Sequence, residues 1–305
     1  MNLYFAPLEG ITTYTYRNTH AEIFGGCDAY YAPFITPSDN EKLSLKSLRD
    51  IIPEKNLVNK LIPQVLTNRS ESFLKFEEKI KELGYDEINI NIGCPSGTVV
   101  KKNRGSGFLR DPQGIDVFLD EVFEKSGLKI SVKTRIGFSN PEEFETLLEV
   151  YNKYPMTELI IHPRTRSDFY NGYPNMKVFG NAYEKSVNSL CYNANVFSVE
   201  DYRKIMEDYP EISGVMIGRG AIANPAIFRE IKGGKPLEVK ELIEFTDILA
   251  KRYLEVLGSE VYTLHKLKEI WMYIMWTFPE EKKILKAIKK SNKLCDLLNA
   301  VKCLK

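Results

Sequence analysis

The chain has 305 residues, of which 43% are hydrophobic and 27% charged, with a formal net charge of +1. It reads as a soluble globular protein with room for one large domain and a small second one. No apolar run approaches the roughly 20 residues of a membrane span, and residues 1–7 read as a first strand rather than a signal peptide. The five cysteines (Cys27, Cys94, Cys191, Cys295 and Cys303) are scattered and include no Cys-x-x-Cys pair, against a disulfide framework or a zinc site and in favour of a cytoplasmic protein.

Short apolar, β-branched or aromatic runs recur along the chain at residues 3–8, 29–34, 61–66, 87–92, 129–134, 159–162, 189–192 and 214–217. Helix-length spacers separate them. In one spacer, Phe73, Phe76, Ile80 and Leu83 recur every three or four residues and stop at Gly84, a helix ended by glycine. Eight such strands predict an α/β fold of parallel strands closed into a (β/α)8 TIM barrel. Residues 231–236, Ile-Lys-Gly-Gly-Lys-Pro, read as a linker. Apolar stripes after it (Leu242, Phe245, Ile248, Leu249 and Leu257; then 265–276; then Ile284, Leu285, Ile288, Leu294 and Leu298) predict three or four packed helices. The expected division is a barrel domain over 1–232 and a small all-helical domain over 237–305.

The charge is uneven. Residues 231–305 carry 15 Lys and Arg against 10 Asp and Glu, and residues 282–305 carry eight lysines against the single acid Asp296. Such a helix is either a solvated face or the electrostatic footprint of a phosphate backbone.

Polar residues gather where each strand ends. On a parallel barrel those ends meet at one mouth, where chemistry is done. Pro7-Leu8-Glu9-Gly10 follows the first strand, and Gln64 lies near the end of the third. The fourth alternates Ile88, Ile90 and Ile92 with Asn89 and Asn91, then runs through Gly93 to Cys94. Lys133 and Arg135 end the fifth, and His162 to Arg166 close the sixth. Asn193, Ala194 and Asn195 follow the seventh, and Gly218, Arg219 and Gly220 the eighth. Glycines beside Arg219 suit a phosphate, or else form a turn with a solvated arginine. Lys133 either stabilises negative charge on a flavin ring or snorkels to the rim. Gln64 suits a heterocycle edge, and His162 a pocket wall or a structural role. The Cys94 thiol is inert packing, a nucleophile or a proton donor. An ordinary thiol pKa of about 8.5 and the absence of an adjacent His or Lys in sequence favour the donor.

Five ordered motifs resemble the tRNA-dihydrouridine synthases: Ala6-Pro7-Leu8-Glu9-Gly10-Ile11-Thr12, Asn91-Ile92-Gly93-Cys94-Pro95-Ser96, Val132-Lys133-Thr134-Arg135-Ile136-Gly137, His162-Pro163-Arg164-Thr165-Arg166 and Gly214-Val215-Met216-Ile217-Gly218-Arg219-Gly220. The resemblance spans the whole chain. It implies an FMN across the barrel mouth, reduced by NADPH, which in turn reduces a uridine in the D-loop of tRNA. By position it places Pro7, Leu8, Glu9, Gln64, Lys133 and His162 along the flavin. Asn193, Ala194, Asn195, Gly218 and Arg219 fall on its ribityl and phosphate end. Cys94 matches the catalytic cysteine, which protonates carbon 5 of uracil opposite the hydride delivered to carbon 6. Asn91 matches a substrate contact, and Arg135 and Arg164 would serve the developing charge or the nucleotide phosphate. The helical domain would hold tRNA. The chain departs from the usual family pattern at Leu8, Pro163, Ala194, Asn195 and Phe108.

Two other readings stand beside this one. An FMN barrel acting on a free pyrimidine, like a dihydroorotate dehydrogenase, would need no basic helical tail. A tRNA-binding module without turnover would not need Cys94, Lys133 and Arg219 together.

Overall fold

The computed structural model describes residues 1–37 and 48–304; the final lysine of the basic tail, Lys305, lies outside them. The strands are β1 (Asn2–Phe5), β2 (Ala29–Tyr31), β3 (Leu61–Ile62), β4 (Gln64–Val65), β5 (Glu87–Ile92), β6 (Lys129–Arg135), β7 (Glu158–His162), β8 (Leu190–Tyr192) and β9 (Gly214–Ile217). All neighbours pair in parallel, in the order β3-β2-β1-β9-β8-β7-β6-β5-β4. The two ends of that order, β3 and β4, are consecutive in the chain and separated only by Pro63. Proline has no N–H to give to a ladder, so the third expected strand is divided there. Its first half pairs with β2 and its second with β5, while the Pro63 carbonyl accepts the Asn89 N–H at 2.9 Å. The ring is thus closed, and eight strand positions form the TIM barrel.

The helix between β4 and β5 runs Ser70–Glu82 and buries Phe73, Phe76 and Ile80 on one face. Gly84 follows at φ +83°, the left-handed conformation that ends many helices. On β5, Ile88, Ile90 and Ile92 are fully buried, and so is Asn89. A barrel strand has no solvent face: one side meets the helices and the other the barrel interior. The alternation therefore separates two buried environments.

Beyond the barrel come four helices, Val239–Leu257, Glu260–Ile274, Lys282–Lys290 and Leu294–Lys302. Leu242, Phe245 and Leu249 of the first are buried, whereas Leu257 at its end is 37% exposed, outside the stripe expected for it. Phe245 packs edge-on to Tyr16 and Phe24, with centroids 5.5 and 5.2 Å away. Arg252 donates to Thr19 and Glu22. The helical segment thus leans on helix Tyr14–Ile23, the one after β1. The expected linker is stitched across its length: Arg229 donates bidentately to Glu241 at 3.0 and 2.9 Å, and also to the carbonyls of Lys235 and Pro236. Among the described residues no helix is long and apolar enough to cross a membrane.

Candidate active site

The barrel's inner wall carries a continuous chain of amides. Register puts Gln64 beside Asn89 and Asn89 beside Ser131. Asn89 Nδ2 donates to Ser131 Oγ at 2.9 Å, and Gln64 Nε2 to Asn89 Oδ1 at 2.7 Å. Asn91 Nδ2 then donates to Gln64 Oε1 at 2.8 Å. The chain ends at Asn91 Oδ1, which accepts the backbone N–H groups of Gly93 and Cys94 at 3.0 and 2.9 Å. Each buried amide is oriented by the next, a network with little freedom to rearrange.

Cys94 is half-buried at the end of that chain. Its carbonyl accepts from the backbone N–H and the hydroxyl of Ser106, at 3.0 and 2.9 Å. Gly105 closes against it at φ +54°; a β-carbon there would lie 2.8 Å from the Cys94 oxygen. Burial pushes the thiol above its ordinary pKa, against the opposing pull of the Ser96 backbone, Lys133 and Arg135. At neutral pH the sulfur therefore keeps its proton.

Lys133 stands beside Asn91 in the β5–β6 register. Burial, with Arg135 nearby, lowers its pKa to about 8. Arg135 is almost fully buried. Its Nε donates to the Gly93 carbonyl at 3.0 Å, and its Nη1 to the carbonyls of Thr165 and Phe169, both at 2.8 Å. Arg164, equally buried, donates to the Asn171 and Gly172 carbonyls at 3.1 and 2.7 Å. Its Nη1 faces His162 Nε2 at 3.2 Å. Because an arginine only donates, His162 accepts at Nε2 and carries its proton on Nδ1. Burial and four surrounding cations (Arg135, Lys133, Arg164 and Arg219) hold that imidazole neutral.

On the far side of the mouth, Asn195 Oδ1 accepts from both Arg164 and Arg219, at 3.3 and 3.2 Å. Asn193 Nδ2 donates to the Met216 carbonyl at 2.7 Å, tying the β8 loop to β9. Ala194 packs half-buried between them. Gly218 lies against Ala6 and Leu8, which brings the loop after β9 to Pro7, Leu8 and Glu9 after β1. A β-carbon on Gly220 would lie 1.9 Å from the Val196 carbonyl oxygen, so no other residue fits there. Leu8 N donates to Thr12 Oγ1 at 2.8 Å. Lys266 of the helical segment donates to the Gly10 carbonyl at 2.7 Å.

All the residues picked out from sequence therefore border one mouth, but their side chains divide by task. Asn91, Arg135 and Arg164, taken from the resemblance as substrate contacts, spend most of their hydrogen-bonding capacity on loop backbone. Lys133 and Arg219 keep theirs largely open. Sequence reading passed over Tyr170, whose ring lies 4.5 Å from the Arg219 guanidinium carbon, 5.4 Å from that of Arg135 and 5.9 Å from the His162 ring. It also passed over Asn89 and Ser131. The signal for Asn89 was present in its alternation with isoleucines; an exposed tyrosine in a polar loop carries none.

An anion belongs in this mouth. Lys133, Arg135, Arg164 and Arg219 converge on it, and among the described residues none is within ion-pair distance of a carboxylate. Asp168 offsets part of the charge on Arg135 and Arg164 from outside ion-pair distance, and the remaining excess of cations at a partly buried site calls for negative charge. The phosphate of FMN fits Arg219 with the small loop at Gly218 and Gly220, and the electron-rich edge of its ring fits Lys133.

A closed parallel barrel with a cationic mouth and a cysteine just beyond a strand end is the layout of an enzyme barrel with its site at the C-terminal ends of the strands. Solved structures with this fold include morphinone reductase (TM-score 0.54, 10% identity, covering 78% of this chain and 87% of that one) and an old yellow enzyme homologue from Zymomonas mobilis (TM-score 0.55, 11% identity, 78% and 90%). At such identity the likeness concerns the fold alone. The family model for dihydrouridine synthase (Dus) matches residues 4–304, and the chain belongs to that family. Relatives include the probable tRNA-dihydrouridine synthase 2 of Bacillus subtilis, 27% identical over 78% of this chain and 74% of its own length. Another is tRNA-dihydrouridine synthase B of Pseudomonas putida, 26% identical over 87% and 81%. The family comprises FMN-dependent oxidoreductases that draw reducing equivalents from NAD(P)H.

Proposed function

We propose that this chain reduces a uridine in the D-loop of tRNA to 5,6-dihydrouridine, with Cys94 as the proton donor. The observation that carries the assignment is the half-buried thiol just beyond β5, held beside the cationic mouth in a chain of the dihydrouridine synthase family. When bound, FMN reduced by NADPH supplies the hydride taken up at carbon 6 of the uracil. Cys94 holds the matching proton for carbon 5, so the pair adds two hydrogens across one double bond. Asn91 sets the direction of the thiol by gripping its backbone N–H. Lys133, Arg219 and the Gly218 turn would bind the flavin. Neutral His162, fixed by Arg164, would line its pocket without adding a further charge. Tyr170 gives the incoming nucleotide a flat face at the rim.

The charge distribution supports a division into residues 1–232 for chemistry and 237–305 for tRNA. Lys282, Lys283, Lys286, Lys289 and Lys290 are all exposed, and no ion pair involves them among the described residues. Their helix buries Ile284 and Ile288 on its other face, which turns the lysines outward as a grip for a phosphate backbone. A free pyrimidine would need no such grip, which disfavours the dihydroorotate dehydrogenase-like reading.

Mapping of dihydrouridine in tRNA from cells with and without this protein is the deciding experiment. Loss of dihydrouridine at one D-loop position in the deletion strain, restored by the wild-type chain, is the expected result. An unchanged map overturns the proposal.

A further inference from the structure

The helical segment sits against the helix after β1 and touches the short helix Arg219–Ala223 after β9 through Thr277, which donates to the Ala223 carbonyl at 2.8 Å. Across the ring lie β5, β6 and β7, and the loops after them form the other arc of the same mouth. There Arg110, Phe138, Arg166 and Phe169 stack alternately. The Arg110 guanidinium carbon is 4.7 Å from the Phe138 centroid; that of Arg166 is 5.5 Å from the same ring and 4.9 Å from Phe169. Two guanidiniums are thus held on one ring, with Lys101, Lys102 and Arg104 in the same β5 loop.

Among the described residues none of these five cations has a carboxylate within ion-pair distance. Three acids of these loops are engaged by backbone N–H groups instead, while Glu142 is exposed. Asp111 accepts from Gly114 N, Asp168 from Thr165 N and Oγ1, and Glu143 from the N–H groups of Phe138, Ser139 and Asn140. The Arg166 side chain donates no hydrogen bond to protein among the described residues, and its Nε is buried without a partner. Phe169, 41% exposed, holds φ +50°, an uncommon conformation for a bulky residue. Arg110 donates its Nε to the Gly107 carbonyl and its Nη2 to Asn103 Oδ1, both at 3.1 Å, which fixes the guanidinium and leaves its remaining N–H groups, with those of Arg166, to take phosphate oxygens.

We infer that this arc of the mouth is a second RNA-backbone site, which holds the phosphates of nucleotides next to the target while the lysine helix holds the tRNA on the opposite side of the mouth. The inference rests on the proposed function: two grips across the mouth leave the reacting base between them.

The test uses the full-length, FMN-loaded protein and an unmodified tRNA transcript, with binding measured over a series of NaCl concentrations. Each phosphate contact contributes about 0.7–0.9 to the slope of log K against log salt. Arg110→Gln/Arg166→Gln should lower that slope by about 1.5 and weaken binding on the order of tenfold at low salt, whereas lysines at both positions should recover most of the slope. Because the two grips are far apart, pairing this variant with Lys286→Gln/Lys289→Gln should multiply their separate effects. Lys101→Gln/Lys102→Gln, at two exposed positions, should also lower the slope, and decides the matter should the arginine variant fail to fold. A folded, yellow variant with wild-type affinity and slope overturns the second site. That result leaves the proposed function standing, since that function falls only if the wild-type chain makes no dihydrouridine in tRNA.

Discussion

Asn91 Oδ1 accepts the backbone N–H of Cys94 at 2.9 Å, and the same oxygen takes the N–H of Gly93. The residue that ends the inner wall of the barrel is therefore the one that aims the thiol. Asn91→Ala would leave two N–H groups without an acceptor, at a cost of roughly 1–3 kcal/mol. We expect kcat on tRNA to fall on the order of a hundredfold with flavin content retained. A wild-type kcat in a yellow Asn91→Ala protein would contradict this positioning role.

Cys94→Ala removes the proton donor without touching the cationic side of the mouth. General-acid groups contribute roughly 10²–10⁴ in rate, so single-turnover reduction of tRNA should drop by that factor while the flavin spectrum stays as it was. Full-rate dihydrouridine formation would remove Cys94 from the chemistry.

Lys133 should make FMN binding depend on pH. Its amine, lowered to about 8 by burial, is charged below that value and neutral above it. Fluorescence titration of the apoprotein should show affinity for FMN falling as pH rises through about 8. Lys133→Met should bind weakly at every pH and lose that inflection. A wild-type curve flat from pH 7 to 9 would exclude the lysine as a charge partner of the flavin.

Glu158, at the opposite end of the barrel from the mouth, should govern part of the stability. Burial raises its pKa to about 7, although Ser213 and Tyr4 donate to one of its oxygens. The folded state thus holds this proton more tightly than the unfolded chain. The resulting stabilisation is complete below about pH 4.5 and is lost as pH rises through 7. Glu158→Gln cannot ionise, so its melting temperature should change less than that of the wild type between pH 5 and pH 8. Parallel melting curves across that interval would refute the assignment.

Gly220→Ala places a methyl group 1.9 Å from the Val196 carbonyl oxygen. Backbone cannot yield as a side-chain tip can, so the variant should lose roughly 3 kcal/mol, the upper range for overpacking, and lose FMN with it. Thermal denaturation and the flavin-to-protein absorbance ratio check both; a stable, yellow variant would show that the turn can relax.

Much of the architecture was legible because it depends on short-range pattern. The eight apolar runs, the Phe73–Phe76–Ile80 stripe and the arrival of Cys94 just beyond a strand all follow from residues within a few positions of one another. The division of the third strand was visible as Pro63 but not interpretable, since a missing N–H matters only once two neighbouring strands compete for that edge.

By itself, then, the sequence determined which residues lie at strand ends, and so which could reach a common mouth. Tertiary structure alone decided what each side chain does there. Gln64 and Asn89 are 25 residues apart, and Arg135 and the Phe169 carbonyl 34. Hydrogen bonds over such separations leave no periodic trace in sequence, because they are chosen by distance in space after the barrel closes. That closure turned Asn91 and Arg135 toward loop backbone, left Lys133 and Arg219 facing the mouth, and stacked Arg110 and Arg166 on one phenylalanine ring.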